Sequence, residues 1–223
     1  MSDNTDFTPI PNPYIVGNPI KSSDMFYGRQ EEFEFIKRKI QTGDKIYLMV
    51  WCGERRSGKT SILFQILSGQ LGEGFLPVLI DMQTMAGLKD DGDFLAEVAM
   101  EICRTLNDSR IDYRDFDFHA PAVSPFKTFK ILLDKILEIF PDKHMVLLID
   151  EYEMIEQKFD DGSLSLEIIP FLAGLLESEH RLSFIFTGSR HLEQRARSNI
   201  GVCCSENLFI AASVFFPVKI LGD

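Results

Sequence analysis

Between residues 53 and 60 the chain reads Gly53-Glu54-Arg55-Arg56-Ser57-Gly58-Lys59-Thr60, a loop-forming run closed by a lysine and a hydroxyl. Each residue type answers a need of a polyphosphate. Gly53 and Gly58 open backbone conformations that a Cβ forbids, so the N–H groups of the run from Gly53 to Ser61 can turn inward on phosphate oxygens. Lys59 places a point charge at the β- and γ-phosphates, and the Thr60 hydroxyl is suited to ligating Mg²⁺. Arg55 and Arg56, inside the loop, face solvent by default, with the nucleotide or a neighbouring subunit as alternatives. The candidate cradle is therefore Gly53, Glu54, Arg55, Arg56, Ser57, Gly58, Lys59, Thr60 and Ser61, a P-loop.

Two further groups carry chemistry. Asp150-Glu151 follows the apolar run Met145 to Ile149. Hydrolysis of a bound triphosphate needs a cation held in register and a water aligned with the leaving group. Asp150 suits the first task and Glu151 the second, as base or water-orienting residue. The competing reading is that the pair caps a following helix. Thr187-Gly188-Ser189-Arg190 ends the next apolar run, where Arg190 is the candidate reader of the terminal phosphate, with Ser189 and Thr187 competing for that role.

These groups need particular elements to bring them together. Ile46 to Cys52 is a continuous apolar run of the kind buried in parallel sheets, and Ser61 to Leu67 has helical spacing after the loop. A chain of this length shows the loop pattern by accident about once in a hundred, so its strand-loop-helix setting decides the reading. Further strands are expected over 76–82, 145–149, 182–187 and 216–221. Helices are expected over 29–40, 93–106, 125–140 and 165–178, the last despite Pro170. The alternation predicts an α/β fold with a doubly wound, parallel, five-stranded sheet flanked by helices, and the resemblance of the loop and acidic pair to those of P-loop NTPases implies the ASCE type in the order 5-1-4-3-2. Strand carboxyl ends then share one edge, and the loop, the acidic pair and the 187–190 segment meet there.

Residues 107–124 lack a period and read as an irregular insertion, in which His119 has no partner at ligand spacing and is a surface or packing histidine. Pro9, Pro11, Pro13 and Pro19 make the first residues an extended arm. The domain reading is an arm over 1–27 packing on the nucleotide site and a core over 28–223, without a C-terminal lid.

With 23 Lys and Arg against 34 Asp and Glu, the 223-residue chain carries a net charge of −11, which disfavours a surface that grips nucleic acid nonspecifically. Cys52, Cys103, Cys203 and Cys204 lack metal-ligand spacing and read as reduced thiols. The start, Met1 to Asp6, is polar and acidic where a secretory signal is basic and then apolar, and Leu208 to Val218 falls short of the roughly 20 residues a spanning helix needs. A cytoplasmic protein with no membrane association is expected.

With these residues in view, the chain resembles the STAND branch of P-loop ATPases and, more loosely, the archaeal AAA-type and Orc/Cdc6-like ATPases. Gly53 to Thr60 matches the Walker A motif, Val146 to Glu151 the Walker B motif, and Thr187 to Arg190 the sensor 1 region, where an arginine often reads the γ-phosphate. Asn12-Pro13-Tyr14, with Met25 to Arg29 and Glu32, looks like the family's N-terminal segment, which implies that Gly28 and Arg29 sit near the adenine. The resemblance implies ATP or ADP and Mg²⁺ as ligands, and a homo-oligomer or an effector protein as partner. The function expected is an ATP-hydrolysing, nucleotide-controlled switch, with Lys59, Glu151 and Arg190 as catalytic residues and Thr60 and Asp150 as metal ligands. Two alternatives stand beside it: a loader or helper acting on DNA through partners, and a small-molecule phosphotransferase whose 107–124 insertion receives an acceptor.

Overall fold

A computed structural model of the chain describes residues 19–21, 26–41, 48–52, 58–188 and 219–221. Five strands form one parallel sheet: β1 (Leu48–Cys52), β2 (Phe75–Asp81), β3 (His144–Asp150), β4 (Leu182–Gly188) and β5 (Lys219–Leu221), in the order β2-β3-β4-β1-β5. Because all run the same way, their carboxyl ends lie along one edge. The register sets Asp81 beside Asp150 on one side of that edge and Cys52 beside Gly188 on the other.

Both faces of the sheet are covered, which is why β3 and β4 read as apolar runs rather than as alternating patterns. Side chains that alternate along each strand divide between two cores. Val146, Leu148 and Ile185 pack with Phe33, Ile36 and Ile40 of α1 (Gln30–Gln41) and with Ile62, Leu63 and Ile66 from the α2 region. Met145, Leu147, Ile149, Phe184 and Phe186 face the other core. That core takes in the apolar stripes of α3 (Asp91–Leu106), α4 (Pro125–Ile139), α5 (Glu153–Asp160) and α6 (Ile168–Ser178). Each fully covered Leu or Ile contributes about 1.5–3 kcal/mol through removal from water.

α2 (Lys59–Gln65) continues into a wider turn over Ile66–Gln70 and ends where Gly69 and Gly72 take φ of 96° and 97°. α6 begins at Ile168, not at residue 165 as its spacing suggested. The late start puts Pro170 in the first turn, where its missing N–H costs no hydrogen bond. α5 was not anticipated, although Tyr152, Ile155 and Phe159 form a buried stripe at helical spacing.

The 107–124 stretch is more ordered than an irregular insertion. Asp108 and Asp112 each fold back on the arginine two residues ahead, a short 3₁₀ turn spans Tyr113–Asp115, and Ile111 and Phe118 plug into the core. His119 is on the surface as expected, but it has partners. Its Nε2 lies 3.0 Å from Asp93 and 3.6 Å from Asp90. Those carboxylates cap α3: Asp90 accepts from the Asp93 N–H at 2.9 Å and Asp93 from the Lys89 N–H at 3.0 Å. The close approach depends on Gly92, where an added Cβ would lie 2.9 Å from the Phe118 carbonyl. No helix among the described residues is long and apolar enough to cross a membrane.

Candidate functional site

β1 ends at the carboxyl edge of the sheet, and α2 is the next element of the chain. Gly53, Glu54, Arg55, Arg56 and Ser57 lie outside the described residues. Gly58, immediately before α2, takes φ 87° and ψ 11°, a left-handed conformation that glycine adopts without a Cβ penalty. Its carbonyl accepts the Ile62 N–H at 3.1 Å and starts the helix. Lys59 and Thr60 are thus the first two residues of a helix whose N-terminal N–H groups favour an anion. Lys59 is buried, with 7% of its surface exposed.

The neighbouring helix residues are held by Ile20 and Lys21. Ser61 Oγ accepts the Ile20 N–H at 3.0 Å, and one helical turn on, Gln65 Nε2 donates to the Ile20 carbonyl at 3.4 Å. Lys21 stands over the Phe64 ring at 5.0 Å. Sequence reasoning missed Gln65, because a glutamine that is fully buried looks no different in a sequence from one on the surface.

Asp150 ends β3 within reach of α2. Thr60 Oγ1 donates to Asp150 Oδ2 at 2.9 Å across 90 residues of chain. The other oxygen, Oδ1, accepts the Thr187 hydroxyl and the Glu151 N–H, the latter at 3.0 Å. Only 6% of Asp150 is exposed, so these three donors offset the cost of placing a carboxylate there. The carboxylate does not cap the next helix. α5 begins at Glu153, and no side chain caps its first turn.

Glu151 leaves the strand with φ 54°, a left-handed conformation costing a non-glycine residue roughly 1–2 kcal/mol. The surrounding backbone over-determines it: Tyr152 N–H donates to the Thr187 carbonyl at 3.1 Å and Met154 N–H to the Glu151 carbonyl at 2.9 Å. The same edge is tight at Gly188, where an added Cβ would lie 2.3 Å from Tyr152 Cε1.

The structure therefore joins Thr60 to Asp150, with Lys59 and Ser61 flanking the one and Glu151 following the other in the chain. Thr187 is fully buried and joins them through Asp150. Ser189 and Arg190 lie outside the described residues. Gly28 (φ 84°) and Arg29 (φ 62°) form the left-handed entry to α1, and the Arg29 guanidinium pairs with Glu32 at 3.0 Å. Phe26 and Phe33 flank that turn and pack into the core shared with α2.

A hydroxyl and a carboxylate oxygen joined at the start of an anion-favouring helix are the donor set of a hard divalent cation beside a polyphosphate. The residues present fit Mg²⁺ and a nucleotide.

No family model and no curated protein matches the chain. Solved structures do. The Walker-type ATPase PABY2304 of Pyrococcus abyssi aligns with a TM-score of 0.61 at 15% identity, over 92% of this chain and 56% of that one. The ORC2 protein of Aeropyrum pernix, solved as ADPNP–ADP complexes, aligns with a TM-score of 0.57 at 16% identity, over 88% of this chain and 48% of that one. At these identities the likeness establishes the fold alone, an α/β core like that within these two structures. The chain spans about half the length of each of these two structures.

Proposed function

We propose that the chain is a Mg²⁺-dependent ATP-binding and ATP-hydrolysing module that works as a nucleotide-controlled switch. The observation that carries this reading is the 2.9 Å hydrogen bond from Thr60 to Asp150, made one residue after Lys59 and two after left-handed Gly58. The placement of β4 between β1 and β3 supports an ASCE-type core, in which Glu151 directly follows the strand on the far side of the intervening one. The STAND-like run Thr187 to Arg190 belongs to the same proposal.

In this reading Gly53 to Ser57 supply inward-turned amides, Lys59 balances charge on the β- and γ-phosphates, and Gly28 and Arg29 lie near the adenine. Thr60 and Asp150 hold the cation, which when bound supplies charge neutralisation at the phosphate oxygens. Glu151 orients the attacking water and accepts its proton, and Arg190 contacts the terminal phosphate. A switch of this kind works only if ATP and ADP bind two conformations with different affinity. The partner that reads the difference is a second copy or an effector protein. The net charge of −11 disfavours nucleic acid as the ligand of these residues. A cytoplasmic setting is part of the proposal.

Titration with ATP, ADP and GTP, each in Mg²⁺ and in EDTA, followed by phosphate-release assays, tests the reading. The expected result is binding of both adenine nucleotides, strengthened by Mg²⁺, with slow phosphate release from ATP. Absence of adenine-nucleotide binding would overturn it.

A further inference from the structure

We propose that Thr187 is a positioning residue for the cation site: its buried hydroxyl pins one oxygen of Asp150 so that the other faces Thr60. The proposal rests on the reading of Thr60 and Asp150 as Mg²⁺ ligands and deepens it.

The geometry is asymmetric. Asp150 Oδ1 receives two donors, the Thr187 hydroxyl and the Glu151 N–H, whereas Oδ2 receives the Thr60 hydroxyl. Two donors on one oxygen fix both rotation of the carboxyl group and its tilt, and a fully buried threonine on a central strand has little freedom to let go. Thr187 is itself anchored, because its carbonyl takes the Tyr152 N–H and its strand pairs with β3 and β1 on either side. The carboxylate therefore stands ready with Oδ2 toward α2 before any ligand arrives. Without the Thr187 hydroxyl, Oδ1 loses a donor and the group can turn, so that the ligand oxygens must be ordered at the moment of binding. Groups that orient a metal ligand in this way are typically worth about 10–100-fold in metal affinity.

A residue that read the terminal phosphate would behave differently. It would discriminate ATP from ADP, whereas an aspartate-positioning residue changes the Mg²⁺ requirement for both nucleotides equally.

The test uses the full chain and three variants, Thr187→Val, Thr187→Cys and Thr187→Ser, with Mg²⁺ titrated at fixed ATP and at fixed ADP, and nucleotide affinity measured in EDTA as the metal-free reference. Thr187→Val is expected to raise the Mg²⁺ concentration giving half-maximal tightening roughly tenfold for both nucleotides, with metal-free affinity changed by less than about threefold. Thr187→Ser, which keeps the hydroxyl, returns the requirement to near the wild-type value, and Thr187→Cys, a weaker donor of similar volume, falls between. A wild-type Mg²⁺ requirement in Thr187→Val, or in Thr187→Cys should the valine variant not fold, would overturn the proposal. So would an effect confined to ATP, or a serine variant as impaired as the valine one. Should the wild type show no Mg²⁺-dependent nucleotide binding, the functional reading fails and this proposal with it; a Mg²⁺-dependent wild type with indifferent variants removes Thr187 alone.

Discussion

β3 and β4 carry a polar pair at each end, and the two pairs are built differently. At the amino ends, His144 Nε2 and Ser183 Oγ meet at 2.9 Å, near Arg181, whose guanidinium donates to the carbonyls of Leu137 in the last turn of α4 and Pro141 just after it. At the carboxyl ends, Asp150 takes the Thr187 hydroxyl and reaches off the sheet to Thr60 of α2. Burial pushes the His144 imidazole down from its ordinary 6.5 to about 4, so at neutral pH the amino-end pair carries no charge. The carboxyl-end pair instead keeps an acceptor oxygen at the mouth of a helix. One end is tied within the sheet and to the segment after α4, and the other reaches across to α2.

The largest effect that sharpens this contrast belongs to Glu151. Glu151→Gln keeps the shape and removes the carboxylate proposed as the base, so ATP binding should persist while turnover falls roughly hundredfold or more. Single-turnover phosphate release checks it, and undiminished turnover would take Glu151 out of the chemistry.

Glycine substitutions compare the packing of the two ends. Gly188→Ala drives a methyl into the Tyr152 ring and should cost about 1–3 kcal/mol in urea unfolding. Gly74, whose carbonyl accepts the His144 N–H, has nothing within 4 Å of an added Cβ, so Gly74→Ala should leave stability within about 0.5 kcal/mol of wild type or raise it slightly. Equal losses at both sites would erase the difference.

The smallest effect is at the amino end. Because His144 binds its proton less readily folded than unfolded, its contribution is intact above about pH 6.5 and is lost as pH falls toward about 4. His144→Gln should flatten that part of the stability profile by about 1–2 kcal/mol, discounted for partial contact with solvent. Parallel profiles for the two proteins would contradict the assignment.

The carboxyl end was the more legible of the two from sequence. Its residues are constrained by chemistry at short spacing: glycine, lysine and hydroxyl within three positions, and Asp-Glu directly after an apolar run. The alternation of apolar runs with helical spacing likewise announced a parallel α/β sheet. What stayed hidden depends on distant contacts. The His119 carboxylate neighbours lie 26 or more residues back, and the Thr187 hydroxyl meets Asp150 across 37 residues. Nothing in either local pattern distinguishes a bonded side chain from a bare one. α5 was missed for another reason: eight residues carrying four charged acidic or basic groups and two apolar anchors are too short for a periodic signal to stand out.

The most direct measurement is calorimetric titration of ATP into the wild type and Asp150→Asn, each with Mg²⁺ and with EDTA. The account predicts that Mg²⁺ tightens ATP binding to the wild type roughly tenfold or more and that Asp150→Asn loses this gain while binding metal-free ATP as the wild type does. An equal gain from Mg²⁺ in both proteins would contradict it.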